Sequence, residues 1–196
     1  MNAHRYFVLN KPINMVSQFV SSHPVRLLGD LPYPFPDGTH AIGRLDQASE
    51  GLLLLTTNKK VTRLLFQNTV PHQRTYLVQV KNKVTAEKVQ QLAKGILISA
   101  PNGLQYLTSP CQATVVDPPP YIWEPEIPPH KNVVSDWLSI TLTEGKYHQV
   151  RKMVAAVHHK CIRLIRTSIE NVSIEKLAPG EVLELSEAEF FAKLNL

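Results

Sequence analysis

Apolar residues recur along this chain mostly in short runs closed by Pro, Gly or Asn, and only a few segments carry helical spacing. Tyr6-Phe7-Val8-Leu9, closed by Asn10-Lys11-Pro12, predicts a strand, and residues 16–20 predict a second. Residues 21–38 contain Pro24, Pro32, Pro34 and Pro36 and predict loop. Residues 52–57 open on four leucines in a row, which predicts a strand buried on both faces. Residues 75–80 alternate, with Tyr76, Val78 and Val80 set against Leu77 and Gln79, as a half-buried strand does. Further strands are predicted at 96–99, 105–108, 112–116, 137–142, 162–169 and 182–185.

Four segments predict helices. Asn58 is placed to cap one through about residue 67, with Val61, Leu64 and Leu65 on its inner face. Thr85 caps a second, with Val89 and Leu92 inward and Gly95 at its end. A turn at Gly145 opens a third, running to about residue 157, which presents Val150, Met153 and Val154 to the core. That spacing leaves Gln149 and Lys152 off the buried stripe and Arg151 near its edge. Residues 187–194 predict a short terminal helix. Between the elements, residues 117–130 contain six prolines and predict a stiff surface loop. Strands and helices alternate irregularly, with several strands adjacent. The expectation is therefore an α+β fold on a mixed, largely antiparallel sheet, formed by one domain over residues 1–196.

Composition narrows the class. An apolar fraction of 43% with 19% charged residues belongs to a folded globular chain. Cys111 and Cys161 are the only cysteines, too few for a disulfide framework. No run approaches the roughly 18 to 20 apolar residues that span a membrane. The N-terminal residues run straight into the first strand without a secretory pattern, so a cytoplasmic protein without membrane attachment is expected. The formal net charge is +5, and its distribution says more than its size. Residues 51–86 and 145–169 contain no Asp or Glu, yet they carry twelve of the 21 Lys and Arg residues. That clustering points to a polyanionic partner.

Asp46 is the carboxylate such a setting draws attention to. It lies in Gly43-Arg44-Leu45-Asp46-Gln47-Ala48-Ser49-Glu50-Gly51, a polar turn bracketed by glycines that feeds the leucine-rich strand. Arg44 stands close enough in sequence to keep the acid ionised and aimed. Tyr76, on its strand, offers a ring for stacking and a hydroxyl for proton exchange. Arg151 offers a charge partner for a carboxylate. The eight histidines, among them His148, His158 and His159, form no recognised ligand spacing with an acid, and no metal is expected. There is no Gly-rich phosphate loop and no nucleophile elbow. A hydrolase acting on a glycosidic or phosphorylated substrate would want a second carboxylate, for which Glu50 is the sequence-near candidate.

Three segments together resemble the RsuA-type pseudouridine synthases. Gly43-Arg44-Leu45-Asp46 with Glu50-Gly51-Leu52-Leu53-Leu54-Leu55-Thr56 resembles the family's catalytic-aspartate motif. Arg74-Thr75-Tyr76-Leu77-Val78 resembles its tyrosine motif. Glu144-Gly145-Lys146-Tyr147-His148-Gln149-Val150-Arg151-Lys152-Met153 resembles its third motif, which supplies a basic residue. Asn10-Lys11-Pro12, and Leu164-Ile165-Arg166 through Leu177-Ala178-Pro179-Gly180-Glu181, fit the beginning and end of the family pattern. Where relatives often carry Arg-Ile-Gly after the last basic strand, this chain has Thr167-Ser168-Ile169-Glu170-Asn171.

The resemblance implies a sheet of about eight strands around a central basic catalytic cleft. Many relatives place an S4-type RNA-binding domain before the Lys-Pro strand, but only ten residues precede Lys11 here, so the catalytic domain alone is expected. The implied reaction isomerises a uridine to pseudouridine in ribosomal RNA, that of the large (23S) subunit in particular, with no cofactor and with the protein as a monomer. Asp46 would be the nucleophile, at the uracil ring or at the ribose anomeric carbon. Tyr76 would stack on the base, and Arg151 would pair with Asp46. Arg44, Lys59, Lys60, Arg63, Lys146, His148, Gln149 and Lys152 would hold the RNA. The alternatives are action on a different RNA site, or an RNA-binding protein without catalysis on the same scaffold; the latter sits poorly with the retention of Asp46, Tyr76 and Arg151.

Overall fold

The computed structural model describes residues 3–66, 71–125 and 133–196. In chain order the strands and helices are β1 (Tyr6–Lys11), β2 (His40–Ile42), β3 (Glu50–Thr56), α1 (Val61–Phe66), β4 (Arg74–Lys81), α2 (Ala86–Lys94), β5 (Leu97–Ser99), β6 (Gln105–Leu107), β7 (Gln112–Val116), β8 (Ser135–Leu142), α3 (Gln149–Ala156), β9 (Cys161–Ile169), β10 (Val172–Ser173), β11 (Val182–Leu185) and α4 (Glu187–Lys193). Contacts divide the chain into two compact units. One comprises Met1–His72 with Arg166–Leu196, and the other Gln73–Ile165. Strand β9 gives its first part to the second unit and its last part to the first.

The first unit is organised around β3, in which every residue is buried. β1 pairs with it antiparallel from Tyr6 opposite Thr56 to Lys11 opposite Gly51, and β11 extends the other edge of β1. The four leucines at 52–55 and the Tyr6-Phe7-Val8-Leu9 run are withdrawn from solvent, as expected of strands covered on both faces. Gly51 is a requirement rather than a convenience. Its φ is +101°, and a Cβ there would lie 2.2 Å from the carbonyl oxygen of Arg166. Its absence of a side chain lets β9 approach, and the Arg166 Nε donates to the carbonyl of Leu52 at 2.8 Å. The proline-rich loop is ordered by its aromatics: Phe7 meets Tyr33 and Phe35 edge-on, and Phe19 meets Phe35. Ser186 caps α4 with a reciprocal Ser186–Glu189 box, and α4 lays Phe190 against Tyr6, ring centroids 4.7 Å apart.

In the second unit β8 pairs antiparallel with β4, from Arg74 opposite Leu142 to Lys81 opposite Ser135, and with β7 on its other side. β5 and β6 form a separate hairpin. α2 and α3 cover a core of Val78, Val80, Leu92, Leu138, Ile140, Val150, Met153, Val154 and Leu164. Gly95 ends α2 at φ +94°, as its position predicts.

The fold is α+β with a largely antiparallel sheet, as expected. Eleven strands are present among the described residues rather than about eight; the hairpin strands β5 and β6 fall where strands are predicted, whereas β2 and β10 are too short for periodicity to register. Residues 16–20 are not a strand. Only Met15 makes a bridge, to Arg26, and Val20 is 79% exposed. α1 begins at Val61 rather than just after Asn58. Asn58 still receives the Lys60 backbone N–H on its side-chain oxygen. Val61 and Leu65 face inward, but Leu64 is exposed, and the predicted helix end near residue 67 lies outside the described residues. Residues 126–130 of the proline-rich stretch lie outside them too. Among the described residues no helix is long and apolar enough to cross a membrane.

Candidate active site

Asp46 occupies the loop between β2 and β3 and is partly exposed. The residues on either side of it are fixed by bonds from a second loop. The buried Ser17 hydroxyl donates to the Leu45 carbonyl at 2.9 Å and accepts the Leu45 N–H at 3.0 Å. Asn14, in the left-handed region at φ +61°, donates its N–H to the Gln47 carbonyl at 2.9 Å. The Asp46 carbonyl itself accepts the Ser49 N–H at 3.0 Å. The carboxylate is thus carried on a backbone that is held before any substrate arrives, which is what positional catalysis requires.

Arg44 is exposed, and a buried cation, Lys11, also interacts electrostatically with the acid. Lys11 ends β1 with no solvent exposure and donates to the carbonyls of Pro12 (2.9 Å) and Met15 (2.7 Å). Burial pushes its pKa down to about 8. Glu50 and Asp46 act against that fall, and Arg166 and Arg26 add to it. Isolated in sequence, Asp46 therefore shares its surroundings with the buried carboxylate of Glu50 and with a buried ammonium.

Tyr76 projects from β4 opposite Ile140 and is half-buried against the core of the second unit. The third motif is built around Glu144. Its carboxylate accepts the Tyr106 hydroxyl, the Ser109 N–H (2.9 Å), the Ser109 hydroxyl (3.2 Å) and the Gln149 side-chain amide (2.6 Å). Burial would raise its pKa, but these hydrogen bonds outweigh burial and hold it below the ordinary carboxylate range. Gln149 also accepts the Lys146 N–H at 2.8 Å. Gln149 is 4% exposed, so it is not off the buried stripe: an amide bonded at both ends is a burial-competent group, which apolar spacing does not reveal. His148 precedes α3 in the left-handed region at φ +54°. Lys152 donates to the Ser99 carbonyl at 2.7 Å. Arg151 is half-buried, and its Nη1 reaches the Cys161 sulfur at 3.6 Å. Burial raises the Cys161 thiol, and Arg151 opposes that rise.

The candidates thus fall into groups by unit. Asp46 and Arg44 share a loop of the first unit, with the exposed Lys59, Lys60 and Arg63 at the start of α1. Tyr76, Lys146, His148, Gln149, Arg151 and Lys152 belong to the second. Lys11, Ser17 and Glu144 were given no role at the site by sequence. The signal for Lys11 was its place at the end of an otherwise apolar strand, where a charge demands a built partner set.

A family model described as RNA pseudouridylate synthase matches residues 5–156, a span that contains the Asp46 loop, the Tyr76 strand and the third motif. The chain belongs to this family. The enzyme is 38% identical over 176 residues to a ribosomal large subunit pseudouridine synthase E of Xanthomonas axonopodis pv. citri (strain 306), covering 88% of this chain and 89% of that one. It is 32% identical to a ribosomal small subunit pseudouridine synthase A of Escherichia coli (strain K12), covering 94% of this chain and 72% of the other. A crystal structure of a pseudouridylate synthase superposes with a TM-score of 0.78 at 28% identity, covering 99% of this synthase and 75% of that chain. The chain is therefore an RNA pseudouridine synthase, an isomerase.

Proposed function

We propose that the enzyme converts a uridine of large-subunit (23S) ribosomal RNA to pseudouridine, with Asp46 as the nucleophile. The observation that carries this reading is the held Asp46 loop: Ser17 and Asn14 fix the backbone on both sides of a carboxylate that remains partly exposed. The large-subunit assignment is supported by the higher identity to a relative named for that subunit than to one named for the small subunit.

The target base is first unstacked, at a cost of a few kcal/mol that is least for unpaired uridines. Asp46 attacks the uracil ring or the ribose anomeric carbon. The N1–C1′ glycosidic bond breaks, the uracil turns, and a C5–C1′ bond forms. C5 loses its proton, N1 gains one, and the Asp46 carboxylate is regenerated. Tyr76 stacks on the base and serves the C5 deprotonation, and Arg151 keeps the reacting carboxylate ionised. Arg44, Lys59, Lys60, Arg63 and Lys146 are exposed cations suited to backbone phosphates, while Gln149 and Lys152 hold the third motif in shape. The enzyme works as a monomer in the cytoplasm, and its two units are parts of one catalytic domain, a reading supported by a single family model that runs through both.

The test is pseudouridine mapping of ribosomal RNA from cells lacking the protein, complemented with wild type or with Asp46→Asn. A large-subunit site should lose its modification and regain it with wild type alone. A site restored by Asp46→Asn would remove Asp46 from the nucleophile's role.

A further inference from the structure

Tyr147 is the most exposed of the described Phe, Tyr and Trp side chains, at 70%, and it lies inside the third motif rather than on a random surface. Its ring stacks on that of His148, with centroids 3.8 Å apart and planes 18° from parallel. The Lys152 ammonium lies 5.4 Å from the Tyr147 ring centroid and is tied to the Ser99 carbonyl. The neighbouring Lys146 ammonium lies 4.7 Å from the Tyr106 ring centroid, and its backbone N–H is bonded to Gln149. The segment is thus not a loose tip. Glu144, Gln149 and the left-handed His148 fix the backbone on both sides of Tyr147, so the exposed ring is pre-oriented.

A lone surface tyrosine needs no explanation. A pre-oriented aromatic pair with one lysine ammonium near its ring and a second lysine next to it in sequence, in a stretch without acids from Gly145 to Ile169, is a different object. The π-face of a nucleobase prefers a planar partner, and the phosphates on either side of that base prefer the ammonium groups. We infer that Tyr147, backed by His148 and flanked by Lys146 and Lys152, is a stacking platform for an unpaired base of the RNA substrate, at a nucleotide other than the isomerised uridine. Recognition of this kind follows base planarity and single-strandedness rather than hydrogen-bond pattern, so it selects a looped or opened RNA segment over a duplex.

This inference rests on the RNA-modifying function, and its test is run so that the two fail separately. Binding is measured in the Asp46→Asn background, where turnover plays no part. The probe is a short single-stranded oligoribonucleotide containing 2-aminopurine, whose fluorescence falls on stacking. Removing a stacking aromatic weakens binding by roughly 5- to 150-fold per base. Tyr147→Ala should weaken binding within that range and abolish the quenching, and Tyr147→Leu should do the same. Tyr147→Phe should retain both. The slope of affinity against salt should be the same in all four proteins, because no phosphate-contacting charge is lost. Unchanged binding in Tyr147→Ala overturns the platform. So does a Tyr147→Phe variant as weak as Tyr147→Ala, which would mean a hydroxyl contact, or a flattened salt slope, which would mean displaced lysines. The ring is mostly exposed, so the variants should fold, and matched thermal melting checks it. Failure of Asp46→Asn to abolish pseudouridine formation would overturn the nucleophile assignment and leave these binding results standing.

Discussion

Ser17 and Leu45 are joined by two hydrogen bonds of opposite sense, with the serine hydroxyl donating to the leucine carbonyl and accepting its N–H. One buried side chain thereby satisfies both backbone groups of the residue before Asp46. Ser17→Ala leaves a buried N–H and a buried carbonyl without that partner, at a cost of about 1–3 kcal/mol. It also frees the loop that aims the carboxylate. Displacements of about 1 Å at a reacting group can cost about a hundredfold in rate. Ser17→Ala should lower kcat by roughly 10- to 100-fold while leaving RNA affinity near that of wild type. Single-turnover rates at saturating RNA check this, and an unchanged kcat would show that Asn14 and Ser49 suffice to hold the loop.

Lys11 makes stability depend on alkaline pH. Its folded pKa of about 8 lies below the ordinary lysine value near 10.5. Below pH 8 the ammonium is charged in both states, and its burial cost, on the order of 3 kcal/mol, is fully present. Between about 8 and 10.5 the unfolded chain binds the proton and the folded one does not, so folding stability from this group rises with pH. Denaturant unfolding should show wild type gaining about 2 kcal/mol relative to Lys11→Met between pH 7 and pH 9.5. Over the same range, loss of the charge beside Asp46 should lower the wild-type rate. A stability difference that stays flat with pH would place the Lys11 titration elsewhere.

What the sequence showed and what it concealed divide along physical lines. The leucines at 52–55 announced a doubly covered strand because nothing but burial tolerates such a run. The alternation from Thr75 to Val80 fixed β4 for a similar reason. Residues 16–20 carry Val16, Phe19 and Val20, enough apolar character to suggest a strand, yet Ser17 is committed to Leu45 and Val20 to solvent. Side-chain hydrogen bonding there outcompetes the ladder, and propensity does not register it. Gln149 was misjudged by the assumption that polar groups lie outside, and the burial of Lys11 gives no apolar signal either. Each is buried because hydrogen-bond partners satisfy it, Glu144 and Lys146 for one and two backbone carbonyls for the other. The motif residues were legible because their identities are chemical. The groups that hold them were not, because their role is set by three-dimensional partnership.

Glu144 gives the opposite pH signature to Lys11. Burial works to raise its pKa, but donors from Tyr106, Ser109 and Gln149 hold it below the ordinary carboxylate range. A depressed carboxylate contributes stability that is present above its unfolded pKa and lost as pH falls through its folded one. Glu144→Gln should cost about 1–3 kcal/mol near neutrality, since an amide cannot accept from every donor that the carboxylate serves. The gap between wild type and Glu144→Gln should narrow as pH drops below about 4. Urea unfolding across an acid series measures it, and a gap independent of pH would mean that the carboxylate's charge contributes nothing.

Lys59, Lys60 and Arg63 test whether exposed charge on the first unit meets RNA. All three are exposed, at or just before the start of α1. Each cation that neutralises a phosphate releases condensed counterions, and the logarithm of affinity then falls with the logarithm of salt by about 0.7 per phosphate for single strands. Neutralising the three together should reduce that slope by up to about 2 and weaken binding most at low salt. The rate of the bound complex should hold, because contacts of this kind position the strand without touching the reacting atoms. Stability should change little, because solvated lysines contribute almost nothing to folding. Dissociation constants across a salt series for wild type and the triple variant decide the point. Coincident slopes would mean that this end of α1 faces solvent in the complex, and that the charge holding the RNA lies with Lys146 and the rest of the third motif.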